Sequence, residues 1–221
     1  MLKQLPRWVE LGSFALALVA GSVNAIALLG FNHQGVSHLS GSSSLLGVEL
    51  AQGQWQAALH LLAIMLSFVL GAALSAALIN HQALRADRRY SGVLGLEALL
   101  LVCAALLLQY NHSAGHYLAS LACGLQNGMT TTYSGALLRT THVTGIFTDL
   151  GIMLGQRLRG QRADRRRIWL YLLLASGFIV GGVLGTLSYL AHSYNALLWP
   201  ALAASLLAAG GWYLWRPAPR H

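Results

Sequence analysis

Arg157-Leu-Arg-Gly-Gln-Arg-Ala-Asp-Arg-Arg-Arg167 holds six of the fourteen Lys and Arg residues of this chain and lies directly before the apolar segment Ile168–Leu190. The remaining basic residues are as tightly grouped: Lys3 and Arg7; Arg85, Arg88 and Arg89; Arg139; and Arg216 with Arg220. Three other connections, Phe31 to Gln54, Tyr110 to His116 and His192 to Asn195, contain no Lys or Arg. Basic residues that flank membrane spans stay on the cytoplasmic side. The alternation therefore predicts a membrane protein and, with it, an orientation.

Composition agrees. Charged residues make up 9% and hydrophobic residues 56% of the chain, against about a quarter charged in a soluble domain. The 24 glycines suit packed membrane helices, where small residues let backbones approach. A net charge of +8 would suggest nucleic acid in a soluble protein. Here the basic residues sit at segment ends, where orientation and lipid headgroups account for them, so the expected partner is the bilayer and not nucleic acid. Cys103 and Cys123 both fall inside apolar segments, which argues against a disulfide framework or metal cluster. No metal or cofactor site is expected, and no phosphate-cradling loop is present in the sequence.

Six segments are long and apolar enough to span: Val9–Leu29, Gln56–Ile79, Gly92–Leu108, Tyr117–Leu138, Ile168–Leu190 and Ala196–Trp215. The first exceeds a typical signal-peptide core and reads as an uncleaved span. Two further segments, Val36–Gln52 and Thr141–Leu158, are rich in Ser, Thr, Gly and His, and each holds one acid, Glu49 or Asp149. If the six apolar segments cross and the two polar ones return to the side they entered, every basic group lands inside and every base-free connection outside. If all eight cross, Arg85, Arg88, Arg89 and Arg139 land outside. The first arrangement is expected: an all-α, polytopic membrane helical bundle of six spans plus two polar re-entrant or broken helices.

The halves 1–110 and 111–221 resemble each other within one membrane domain. Gly21-Ser-Val-Asn24 matches Gly124-Leu-Gln-Asn127; His38-Leu-Ser-Gly41 matches His142-Val-Thr-Gly145; Phe68, Gly71 and Leu74 match Phe178, Gly181 and Leu184. The offsets are 103, 104 and 110, and the arginine-rich insertion explains the last increase. Three spans per half is an odd number, so the second half must enter from the opposite face. That is an inverted internal repeat, as found in secondary transporters.

The candidate pathway residues come from the paired polar motifs and from the helical stripe of His142, Gly145 and Asp149: Asn24, His38, Ser40 and Gly41 in the first half, and Gln126, Asn127, Thr141, His142, Thr144, Gly145 and Asp149 in the second. Ionisable groups at membrane depth face a bundle interior or water. Asp149 with His142 is the expected proton- or ion-coupling pair. Glu97 is read as snorkelling towards Arg88 or Arg89. The small-residue faces Gly71-x-x-x-Ser75 and Gly181-x-x-x-Gly185 predict close helix packing, within the bundle or between copies in a homo-oligomer. Gly41-Ser-Ser-Ser44 offers only a weak serine-nucleophile signal, so no enzyme is expected.

Gly124-Leu-Gln-Asn127, Arg139-Thr-Thr-His-Val-Thr-Gly145 and Thr148-Asp-Leu-Gly151 together resemble the signature of the YoaK-like bacterial membrane proteins, a family of unknown function, over nearly the whole chain. The first half is looser: Asn24 stands where that pattern has Asp, and Ser40-Gly-Ser42 where it has Thr-Gly-Asn. The resemblance implies a six-pass inner-membrane protein with cytoplasmic termini and implies no substrate. The residues themselves point to a transporter or channel for a small solute, with Asp149 and His142 as candidates for proton or ion coupling, against two alternatives: a non-transporting structural or assembly protein, and an intramembrane enzyme.

Overall fold

The structure, a computed structural model, describes residues 7–30, 35–79, 88–134, 140–161 and 164–214. Arg85, Arg139 and the terminal basic residues lie outside these ranges. Among the described residues every regular element is helical: α1 (Arg7–Gly30), α2 (Leu39–Ala51), α3 (Trp55–Leu78), α4 (Arg88–Gln109), α5 (Ala114–Ser134), α6 (Val143–Leu158), α7 (Arg165–His192) and α8 (Leu198–Leu214), with a 3-10 turn (Ser193–Leu197) between α7 and α8. Each apolar segment read from the sequence becomes one helix, and the two polar segments become the shorter helices α2 and α6. Among the described residues, four stretches are long and apolar enough to cross a membrane: Glu10–Gly30, Trp55–Leu78, Arg88–Gln109, and the 49-residue Arg165–Tyr213, which contains both α7 and α8. The 21 residues of α5 are not among them, because Gln126, Asn127 and Thr130 to Thr132 dilute its apolar character.

Two helix pairs form the frame, α1 on α7 and α3 on α5. Both pack backbone to backbone. A Cβ added at Gly21 would strike the Phe178 carbonyl, and one at Gly181 would strike that of Leu18. In the other pair a Cβ at Gly124 would strike the Phe68 carbonyl, and one at Gly71 that of Leu121. Gly21 and Gly124 are 103 residues apart, as are Leu18 and Leu121; Phe68 and Phe178 are 110 apart, as are Gly71 and Gly181. The same contacts thus occur twice, between residues related by the sequence offsets. Ser22 adds a hydrogen bond to the first pair, its Oγ lying 2.9 Å from both the Leu18 and the Gly181 carbonyl oxygens. The Gly71–Ser75 and Gly177–Gly185 faces are used up inside the chain, so any association between copies would need a different face. The pair α4 and α8 crosses between the two frames, with α4 also lying on α5.

The described helix ends sort to two ends of the bundle. At one end the Tyr194 hydroxyl donates to the Gly30 carbonyl at 2.6 Å, and His60, near the start of α3, meets His116 and Tyr117 at the start of α5 at 3.0 and 2.8 Å. At the other end Arg166 pairs with Glu10 at 3.0 Å, Arg167 with Asp149, and the Arg88 guanidinium sits 4.8 Å over the Trp212 ring. Arg88 of α4 and Arg166 and Arg167 of α7 therefore share one end.

Both short helices start inside the bundle and finish at an end of it. α2 finishes with Gly53 at φ +73°, its N–H bonded to the Leu50 carbonyl while that of Gln54 bonds to Glu49. α6 finishes in the same way, with Gly160 at φ +76°, bonded to Arg157, and Gln161 bonded to Gln156. In each case a glycine in the left-handed region satisfies the last free carbonyls and turns the chain sharply. α7 starts on Asp164, whose carboxylate accepts from the Arg166 and Arg167 amides at 3.0 and 3.3 Å, a charged N-cap before three arginines.

Two substitutions separate close packing from helix propensity. Gly124→Val forces a side chain into the Phe68 carbonyl and is expected to destabilise by about 1–3 kcal/mol, the usual cost of overpacking. Gly151→Ala, where nothing lies within 4 Å, is expected to be neutral or stabilising by up to about 1 kcal/mol. Thermal unfolding of the detergent-solubilised protein reads both; equal melting temperatures would contradict the packing described.

Candidate functional site

The link Gly35–His38 enters the bundle from the arginine-free end and docks at Asn24 of α1. The Ser37 Oγ donates to Asn24 Oδ1 at 2.8 Å, and the Ser37 amide lies 3.4 Å from the same oxygen. Asn24 lies six residues before the end of α1, so this contact is about 9 Å inside the bundle. The Val36 carbonyl accepts from Ser120 Oγ of α5 at 3.2 Å, and the same hydroxyl reaches the Ile64 carbonyl of α3 at 2.8 Å. Ser42, in the first turn of α2, ties back to the Gly35 carbonyl at 3.1 Å. The His38 ring stands edge-on to Phe178 of α7, with centroids 5.3 Å apart. Non-helical backbone is tolerated at membrane depth only when it is buried in protein or lines a cavity, and these bonds provide that setting for the Gly35–His38 backbone.

The equivalent link in the second half, Thr140–His142, enters near Gln126 of α5. Gln126 is 1% exposed; its amide nitrogen donates to Thr140 Oγ1 at 3.0 Å and to the Leu16 carbonyl of α1 at 2.8 Å. Gln126 lies eight residues before the end of α5, about 12 Å from the arginine-bearing end. Thr140 and Thr141 are both buried. Here the halves differ. Asn24 has its oxygen occupied by Ser37, whereas the Asn127 Oδ1, at the matching position, is buried without a hydrogen-bond partner. His142 does not point inward: its ring lies over Gly145 of its own helix, at the place a Cβ would take.

Asp149 is not paired with His142. Its Oδ2 accepts from the Tyr171 hydroxyl at 2.7 Å and from Arg167 Nη2 at 3.0 Å, and Arg167 also donates to the Tyr171 oxygen at 2.9 Å. This corrects the coupling pair expected from the sequence: seven residues of helix separate the two side chains by about 10 Å along the axis, and the acid turns to α7 instead. The cluster fastens α6 to α7 at the arginine-bearing end, where Asp149 and Arg167 are 37% and 39% exposed. Ser40, Gly41 and Thr144 lie on the exposed faces of α2 and α6. The Ser43 hydroxyl donates to its own helix, at the Leu39 carbonyl. Glu97 does not snorkel. It is 2% exposed, with Oε2 buried and unpartnered.

Of the residues singled out in the sequence, Asn24, His38, Gln126, Asn127 and Thr141 are therefore gathered in or beside the two inner links. Ser37, Ser120 and Thr140 complete the site and were missed. Ser37 could have been found, because it precedes His38 as Thr141 precedes His142. Nothing in the sequence marks Ser120. Among the described residues, no group of three His, Cys, Asp or Glu side chains converges as a metal site would require.

Ser37→Ala removes the hydroxyl donor from a buried carboxamide and is expected to cost about 1–3 kcal/mol. Asp149→Asn weakens a half-exposed pair and is expected to cost less than about 1 kcal/mol. Chemical unfolding in micelles measures both, and a larger loss for Asp149→Asn than for Ser37→Ala would reverse the ranking of inner link over outer latch.

Comparison with known proteins places the site in a family without adding an activity. No curated protein and no solved structure matches the chain. Residues 12–210 match the family described as Protein of unknown function (DUF1275), in agreement with the resemblance carried by the motifs around Asn127 and His142. The chain is a member of the DUF1275 family.

Proposed function

We propose that this protein is a membrane transporter or channel for a small polar solute, built as six spans and two re-entrant half-helices related by an inverted repeat. The observation that carries the reading is the pair of inner links. Gly35–His38 and Thr140–His142 reach the interior from opposite ends of the bundle and carry matching Ser/Thr-His sequences. They meet polar side chains, Asn24 and Gln126, in the first span of each half. The duplicated glycine contacts of α1 with α7 and α3 with α5 support the repeat.

The six-span count is supported by where α2 and α6 finish. The chain leaves α1 at the end marked by Gly30 and Tyr194 and re-enters α3 at the same end, near His60 and His116, so the intervening α2 makes no net crossing. The arginine-bearing end faces the cytoplasm, in line with the bias of basic residues, which puts both termini in the cytoplasm of a bacterial inner-membrane protein. In the proposed pathway Asn24, Ser37, His38, Gln126, Asn127 and Thr141 are the polar contacts, while the Asp149–Arg167–Tyr171 cluster fixes α6 in place. Half-helices that begin inside the membrane next to polar side chains are the usual setting of a solute site in inverted-repeat transporters.

A non-transporting structural role draws support from one feature: the Asn24 oxygen and the Gln126 amide are both hydrogen-bonded within the protein. The two readings differ in flux. Proteoliposomes would be challenged in stopped-flow light scattering with urea, glycerol, and sodium and potassium salts of small inorganic anions. The transport reading expects at least one solute to permeate faster than in empty liposomes and Asn127→Leu to cut that rate by about tenfold, a barrier change of about 1.4 kcal/mol. Permeation equal to empty liposomes for every solute would remove it.

A further inference from the structure

We infer that Glu97 is a proton-binding site in the bundle core that exchanges with the arginine-bearing end through Tyr90. Glu97 lies nine residues into α4, about 13 Å from its start, and is 2% exposed. Around this stretch, Val93, Leu94 and Leu100 of α4 meet Leu125 and Met129 of α5 and Leu207 of α8. The Glu97 Oε2 is buried without a hydrogen-bond partner, and among the described residues no Lys, Arg or His pairs with the carboxyl. A carboxylate left alone in such surroundings is far less favourable than the neutral acid. An apolar residue of similar size would pack here without that penalty. The core therefore favours a protonated carboxyl at this position.

The neighbouring elements bring few other titratable groups. α5 carries His116, Tyr117, Cys123 and Tyr133, of which Cys123 is a buried free thiol. The 3-10 turn brings Tyr194, α8 brings Tyr213 and α3 brings His60. On α4 itself, Arg88 and Arg89 are exposed at the helix start. Tyr90 lies between them and Glu97, seven residues and two turns before the acid and so on the same helix face. Its ring stands edge-on to Tyr133 at 5.4 Å. In the opposite direction α4 buries Leu101, Ala104, Ala105 and Leu108, which offer no polar step. Tyr90, on the same helix face and nearer the arginine-bearing end, is the polar group that a proton leaving Glu97 would meet next along α4, and the carboxylate left behind is short-lived unless water or a cation reaches it.

Coupling of this proton to solute movement rests on the transport reading; the proton itself does not. The test is infrared difference spectroscopy of wild type minus Glu97→Gln, both in lipid at neutral pH. Gln keeps the shape of the neutral acid, so the variant is expected to assemble like wild type. Should it fail to, Glu97→Asp serves instead, since a shortened acid moves the band. The expected result is a protonated-carboxyl C=O band from Glu97 that shifts in deuterated water and fades as pH rises. Tyr90→Phe slows the deuterium shift several-fold. A missing band, meaning an ionised carboxylate, overturns the proposal, as does a band that neither exchanges nor titrates in the folded protein. If wild type moves no solute, the transport reading fails while the infrared result still decides on Glu97.

Discussion

The whole arrangement depends on backbone meeting backbone at Gly21, Gly71, Gly124 and Gly181. In a bilayer the lipid tails are as apolar as the side chains, so helices gain little by hiding Leu from lipid and must associate through close van der Waals fit. With no Cβ at these four positions, α1 seats on α7 and α3 on α5 at backbone contact. Larger residues there would push the pairs apart and loosen the interior walls against which Gly35–His38 and Thr140–His142 are bonded. Ser22 shows the same economy. A single hydroxyl serves a carbonyl of its own helix and one of the partner helix.

Within that frame, polar backbone is brought about 9–12 Å inside the bundle and satisfied locally. Val36, Gly35 and Leu16 contribute carbonyls; Ser120, Ser42 and Gln126 contribute the donors. Each such bond avoids leaving a buried polar group unpaired, a cost of about 1–3 kcal/mol. The two halves are not equally closed. Ser37 occupies the Asn24 oxygen, but the Asn127 oxygen is left over, so the second half offers the open acceptor. Outside the frame, the Asp149–Arg167–Tyr171 cluster and the Glu10–Arg166 pair fasten α6 and α1 to α7 at the arginine-bearing end.

Much of the fold was legible in the sequence because apolar length and the placement of arginines are simple constraints. Each of the six apolar segments became a helix within a few residues of its expected limits. The matches Gly21 with Gly124 and Phe68 with Phe178 correspond to real contacts: each glycine of one half lies against the phenylalanine backbone of the other. Individual side-chain partners were less legible. Helical spacing put His142 and Asp149 on one stripe, but spacing cannot say that Tyr171 and Arg167 of a helix far along the chain compete for the acid. Glu97 was read from its closeness to Arg88 and Arg89 along α4. Its burial depends on α5 and α8, which sequence proximity does not reveal. Ser120 looked like any serine in an apolar helix, because its importance comes from the Val36 carbonyl 84 residues away.

The central claim is that α2 and α6 each return to the end from which their link entered, one from each face. Single cysteines at Gly53, Asn111, Arg88 and Gly160, probed with a membrane-impermeant thiol reagent before and after permeabilising spheroplasts, test it directly. The account predicts that Gly53 and Asn111 positions react from outside, and that Arg88 and Gly160 positions react only after permeabilisation. An Arg88 position open to the periplasm, with Gly53 and Asn111 shielded, would mean that the polar helices cross, and would contradict the account.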